Sequence, residues 1–147
     1  MRREEIVLVI DTNVWISYLL TDTPEKYQIV FEHPECSIYI CDELIDEIRE
    51  VANRDKFRRF FTIESVDQLI HALETIATNI RVDPEIQATD FLRDRDDAFL
   101  LVLAGAINAD YLITGDKDLL ILGRFGKTKI VTISQFREEF RNSFEAS

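Results

Sequence analysis

The apolar run Ile6 to Ile10, IVLVI, passes without interruption into Asp11-Thr12-Asn13, and apolar character then resumes at Val14, Trp15 and Ile16. A continuous run rich in β-branched residues predicts a strand buried on both faces, as in the middle of a parallel sheet. Val14 to Leu20 reads as a short helix, broken at Thr21 to Pro24, where Thr23 is placed to cap and Pro24 to open a second helix. That helix sets Tyr27, Val30 and Phe31 on one face and stops near His33-Pro34. Ser37 to Ile40 predicts a second strand. Leu44, Ile45, Ile48 and Val51 then repeat at helical spacing, with Asp42 positioned as the cap.

Asp55 to Thr78 is helical in pattern, with a break at Thr62 to Ser65 and an apolar stripe of Val66, Leu69, Ile70, Leu73 and Ile76. Asn79 to Val82 predicts a short strand. A polar link, residues 87 to 97, leads into a helix begun by Asp96 or Asp97, with Phe99, Leu100, Leu103, Ala104 and Ile107 on its buried side. Asp110 to Thr114 predicts another strand, Gly115 to Asp118 the turn out of it, and Leu119 to Leu122 a short helix. Gly123 to Gly126 reads as a turn, Lys129 to Thr132 as a last strand, and Ser134 as the cap of a terminal helix through Phe144. Strands alternating with helices predict an α/β fold, a three-layer sandwich whose central parallel sheet carries helices on both faces.

The length, 147 residues with 46% hydrophobic, suits one domain over residues 1–147. No apolar stretch approaches the roughly 20 residues of a membrane helix. The charged start MRREE enters the first strand directly, without a leader pattern, so a cytoplasmic protein without membrane association is expected. Cys36 and Cys41 lack metal-binding spacing and read as small hydrophobes beside a strand. Only four glycines occur, and none follows the first strand, which excludes a glycine-rich phosphate loop.

A net charge of −11 argues against a general nucleic-acid binder. Locally the balance reverses. Arg54, Lys56, Arg58 and Arg59 fall within six positions and interleave with Phe57, Phe60 and Phe61, a pattern that suits single-stranded nucleic acid, although phenylalanines so placed more often pack inward.

The acids are distributed with more order than the total suggests. Asp11 follows the first strand, Glu47 lies in the helix after the second, Asp97 starts a helix, and Asp116 follows the Leu112 strand. In a parallel sheet the two strand-end acids share one edge, the edge at which α/β ligand sites form. Four carboxylates in one pocket raise one another's pKa values unless a cation joins them. Oxygen-only ligation suits Mg²⁺ or Mn²⁺ rather than zinc. In-line displacement at phosphorus by an activated water is the chemistry such a site supports best. For any single acid on the Glu43 to Glu50 helix, a solvated face is the simpler reading.

These residues carry a resemblance. DTNVW (11 to 15), ELIDEIREV (43 to 51), RDRDDAFLL (93 to 101) and ADYLITGDKDLL (109 to 120), with VTISQF (131 to 136), make the chain similar to PIN domains, in particular to the VapC-like ribonuclease toxins of bacterial toxin–antitoxin pairs. The resemblance covers nearly the whole chain. It implies a metal-dependent endoribonuclease that leaves a 5′-phosphate, with Asp11, Glu47, Asp97 and Asp116 as its metal-holding and catalytic acids. Asp97 stands 13 residues before Asp110, the spacing that aligns best, with Asp96 the fallback and Asp94 a further competitor. Asn13 would support the first acid, Thr114 or Asn13 would bind a phosphate or a metal-bound water, and Asp118 would assist Asp116 through water, although two residues on along a helix turn it points elsewhere. Arg54, Lys56, Arg58 and Arg59 would contact the RNA backbone. The resemblance further implies a cognate antitoxin whose basic segment answers the negative charge, and a homodimer. A non-catalytic PIN-fold binding module is the alternative. A haloacid-dehalogenase-type phosphatase would want an acid where Asn13 stands.

Overall fold

The computed structural model describes residues 5–21, 23, 25–31, 33–81 and 98–145. Within them the strands are β1 (Ile6–Ile10), β2 (Cys36–Ile40), β3 (Thr78–Asn79), β4 (Tyr111–Ile113), β5 (Arg124–Phe125) and β6 (Thr128–Val131). They form one sheet in the order β3-β2-β1-β4-β6-β5, parallel except for the β5–β6 pair. The helices are α1 (Thr12–Leu20), α2 (Glu25–Phe31), α3 (Asp42–Ala52), α4 (Ile63–Ile76), α5 (Ala98–Ile107), α6 (Lys117–Leu122) and α7 (Ile133–Glu145), with a 3₁₀ turn at Asp55–Phe57. They flank the sheet, as the alternation of periods predicts.

β1 lies between two parallel neighbours, Val9 pairing with Tyr39 on one side and Leu112 on the other. Leu8, Val9 and Ile10 are wholly buried, which is why this strand tolerates no polar alternation. The chain steps from β1 outward to β2 and β3, then returns to place β4 on the opposite side of β1. The strand order therefore reverses between β1 and β4, and a crevice opens beyond their carboxyl ends. Trp15, at 4.5 Å from Phe31 between ring centroids, and Tyr18, stacked on Phe31 at 4.4 Å, tie α1 to α2.

Several boundaries differ from the sequence reading. β3 is two residues, Thr78 and Asn79, and Val82 lies outside the described residues. The turn expected over Gly123 to Gly126 contains a short edge strand, because Gly126 takes a positive φ of 60° and folds Arg124 and Phe125 back on β6. Asp42 is not the cap of α3. It sits in the first turn, where its charge still favours the positive helix end, and its Oδ1 accepts from Asn79 Nδ2 at 3.0 Å. Ser134 gives way to Thr132, whose Oγ1 accepts from Gln135 N at 3.1 Å while Gln135 Oε1 accepts from Thr132 N at 2.9 Å. Those reciprocal bonds are a capping box, and a glutamine three residues on is what selects Thr132.

Asp110 fastens the other end of the sheet. Its Oδ2 accepts from Val7 N at 2.8 Å, across 103 positions of sequence, and Lys127 Nζ lies 3.5 Å from its other oxygen. Asp110→Ala strands the Val7 amide. A loss of about 1–3 kcal/mol is expected, read as a lower urea midpoint at unchanged slope. Unchanged stability would show that water replaces the carboxylate there.

Candidate metal centre

The edge where β1 and β4 end is built from two short segments, Asp11–Asn13 and Thr114–Asp116. The ladder brings them together, since Asp11 N donates to Ile113 O at 2.9 Å and Thr114 N donates to Val131 O at 2.9 Å. Asp11 occupies the position before α1, and its carbonyl accepts from Val14 and Trp15. Its side chain makes no capping bond. Capping is what an aspartate at this position ordinarily does, and here the carboxylate is left for another role.

The Asp11 carboxylate turns instead towards β4. Thr114 Oγ1 donates to Asp11 Oδ2 at 2.6 Å, and the same oxygen accepts from Asp116 N at 3.0 Å. One hydroxyl thus joins the two strand-end acids. Asp11 is 3% exposed and Thr114 1% exposed. Burial pushes the Asp11 carboxyl above its ordinary 3.8, the Thr114 hydroxyl and the Thr12 amide pull it down, and the nearby charge of Asp116 adds to the rise. An acid held this way gains most from a neighbouring cation.

Thr114 is expected from sequence as a phosphate or water ligand. The structure commits its one hydroxyl proton to Asp11 and leaves only acceptor capacity. Asp116 is half-buried and caps α6, its Oδ1 accepting from Asp118 N at 2.8 Å. Its second carboxylate oxygen has no such bond among the described residues. Asp118 is exposed in the first turn of α6 and touches Asp116 through its backbone.

Glu47 is set apart from the other acids of α3. Asp42, Glu43, Asp46 and Glu50 are exposed, whereas Glu47 is half-buried with one carboxylate oxygen out of contact with solvent. α3 packs on α1, the helix that Asp11 opens. A merely solvated face does not account for that difference. Asp97, Asp96 and Asp94 lie outside the described residues. Among the described residues, no three metal-ligating side chains form a cluster.

Asn13 stands exposed and leaves the Asp11 hydrogen bond to Thr114. It lines a groove of about 170 Å³ with Ser17, Tyr27, Thr114, Gly115 and Thr132. Ser17 escapes a reading by motif, although its place four residues after Asn13 puts both on one face of α1. A wider groove of about 460 Å³ between β6 and α7 includes Arg124, Lys129 and Glu139 but none of the four acids.

The donors present fit a hard divalent cation. They are oxygens, one is buried and ionises reluctantly, and neither His nor Cys lies in the segments that form the site. Both cysteines are poor ligands in any case, since burial pushes the Cys36 and Cys41 thiols up to about 12.

Comparison with known proteins agrees with the architecture. The sequence profile of a family described as PIN domain matches residues 7–118. The crystal structure of Mycobacterium tuberculosis VapC20, described as a sarcin-ricin loop cleaving toxin, superposes with a TM-score of 0.60 at 11% identity, over 83% of this chain and 98% of that one. VapBC2 from Rickettsia felis, solved bound to a DNA fragment from its promoter, gives 0.58 at 13% identity, over 84% and 96%. At these identities the likeness is one of fold. No curated protein sequence matches the chain.

Proposed function

The chain belongs to the PIN-domain family, and from that premise we propose that it is a divalent-metal-dependent endoribonuclease, the toxin of a toxin–antitoxin pair. The observation that carries the reading is the buried carboxylate of Asp11, joined through Thr114 to the Asp116 segment where the strand order reverses. Asp11, Glu47, Asp97 and Asp116 would hold Mg²⁺ or Mn²⁺, with Asp96 the neighbouring alternative for the third acid. The cation supplies charge neutralisation at phosphorus and lowers the pKa of an attacking water. Thr114 fixes the Asp11 oxygen that faces it. Asp116 is oriented by the first turn of α6, so its position depends on backbone rather than on a long side chain.

The substrate in this reading is RNA, in keeping with what VapC20 is described as cleaving. The partner is an antitoxin, as the VapBC2 pair suggests by analogy. A basic antitoxin segment would answer the net charge of −11. Homodimerisation and a cytoplasmic location belong to the same reading.

The test is cleavage of end-labelled single-stranded RNA by the purified protein in Mg²⁺, Mn²⁺ or EDTA, beside Asp116→Asn. Internal cuts that need the cation and vanish in the variant are expected. Metal binding by calorimetry without cleavage of any RNA offered would favour the non-catalytic module. Absence of metal binding would remove the carboxylate centre itself.

A further inference from the structure

The connection between α3 and α4 carries a surface at odds with the rest of this acidic chain. Its three phenylalanines divide. Phe57 and Phe61 pack against the core, whereas Phe60 is 56% exposed. Its four cations divide as well. Arg54 lies 3.9 Å from Glu50, and Arg58 Nε donates to Asp55 at 3.1 Å. Lys56 and Arg59 have no carboxylate within ion-pair distance among the described residues. They stand over rings instead, Lys56 Nζ at 5.0 Å from the Phe57 centroid and the Arg59 guanidinium at 5.1 Å from that of Phe60.

Folding does not account for this arrangement. An exposed cation–π contact contributes about 0.5–1 kcal/mol, less than the roughly 1.5–3 kcal/mol forgone by leaving a phenylalanine out of the core. An acidic peptide would satisfy the two cations and have no use for the ring. An apolar partner would cover the ring at the cost of desolvating two unpaired charges. Single-stranded nucleic acid uses both, because each nucleotide presents a π-face and a phosphate.

We propose that Lys56, Arg59 and Phe60 form a grip for single-stranded RNA separate from the acid pocket, with Phe60 stacking one base while Lys56 and Arg59 meet the flanking phosphates. α3 joins the two places. It starts where β2 ends, at the edge that carries Asp11, and bears Glu47 five residues before its last residue, Ala52. At about 1.5 Å of rise per residue α3 ends roughly 8 Å beyond Glu47, and Lys56 follows its last residue by four positions, so one strand can reach from the grip towards the acids. Its consequence for cleavage rests on the nuclease reading, but its binding does not.

The test is fluorescence anisotropy of a short labelled pyrimidine RNA in EDTA, where no cutting occurs. The full chain is compared with Phe60→Ala, Lys56→Gln, Arg59→Gln and, as control, Ile121→Ala, which removes an exposed apolar side chain elsewhere. Phe60→Ala is expected to weaken binding about 5- to 150-fold, the equivalent of one stacked base. Each charge variant should lower the slope of log affinity against log salt by about 0.7. Ile121→Ala should bind as the parent does. Parental affinity in Phe60→Ala, or displacement of the RNA by polyglutamate at equal charge, overturns the grip, the latter in favour of an acidic protein partner. RNA binding that follows the predicted pattern in a chain that cuts nothing leaves the grip standing and removes the nuclease reading. Unaltered KM for long RNAs in Phe60→Ala removes the grip and leaves the nuclease.

Discussion

Asp11→Asn should abolish metal-dependent cleavage while making the metal-free protein more stable at neutral pH. Two properties of one side chain lead to opposite signs. The carboxylate is buried and its pKa is raised, chiefly by burial. A folded-state pKa above the unfolded value means that the stability this group contributes is fully present below the ordinary 3.8 and is lost as pH rises through the folded value. Above that range the chain holds a buried charge with no cation beside it. Asparagine keeps the size, still accepts from Thr114 and carries no charge. The variant should therefore melt a few degrees higher than the parent at neutral pH without metal, on the scale of about 2–8 °C per kcal/mol for domains near this size. The difference should shrink towards pH 4. On the proposed reading, saturating Mg²⁺ or Mn²⁺ should raise the parent more than the variant, which lacks one of the four carboxylates. Cleavage should fall by about 10²- to 10³-fold or more, as when one preorganised electrostatic contact to the transition state is removed. Equal melting of both proteins at all pH values would show Asp11 to be no strained carboxylate. Retained cleavage would move the chemistry elsewhere.

Much of this centre is legible in the chain itself. IVLVI ending on an acid is a physical signal, because only a strand buried on both faces is apolar at every position, and such a strand ends where α/β sites form. The pairing of Asp11 with the Asp116 segment follows from parallel register alone. Other features leave no mark in periodicity. Whether Thr114 faces a phosphate or a neighbouring carboxylate depends on a hydroxyl rotor that only the assembled β1–β4 edge fixes. Glu47 and Glu43 look alike in sequence, and only the packing of α3 against its neighbours separates them. The cap of α7 moves from Ser134 to Thr132 because the residue three positions on decides which hydroxyl closes the box. Of three phenylalanines within five positions, the one left in solvent is set by where the 3₁₀ turn ends, a matter of a fraction of a turn.

Thr114→Val should cost more than a lost hydroxyl normally does, and Thr114→Ser should cost little. Valine has nearly the shape of threonine, so packing at this buried position is preserved. What disappears is a donor to Asp11 Oδ2 and an acceptor for Asp116 N. Both groups are left wanting in a site that water enters poorly, and each such orphan costs about 1–3 kcal/mol. The effect on the acids is directional. The Thr114 hydroxyl is the largest influence holding the Asp11 pKa down, so its removal drives that pKa further up and favours the protonated carboxyl. A cation competes with that proton. Metal affinity should drop by about 10- to 100-fold, as when a hydrogen bond that orients a ligand is removed, and the acid limb of the cleavage profile should move to higher pH. Raising the metal concentration should restore much of the rate, which it does not do for Asp11→Asn. Calorimetry of metal binding separates this from simple misfolding, and serine, which keeps the hydroxyl and drops the methyl, should track the parent in both affinity and pH limb. If valine and serine behave alike, the hydroxyl bridge between the two strand ends has no part in building the metal centre.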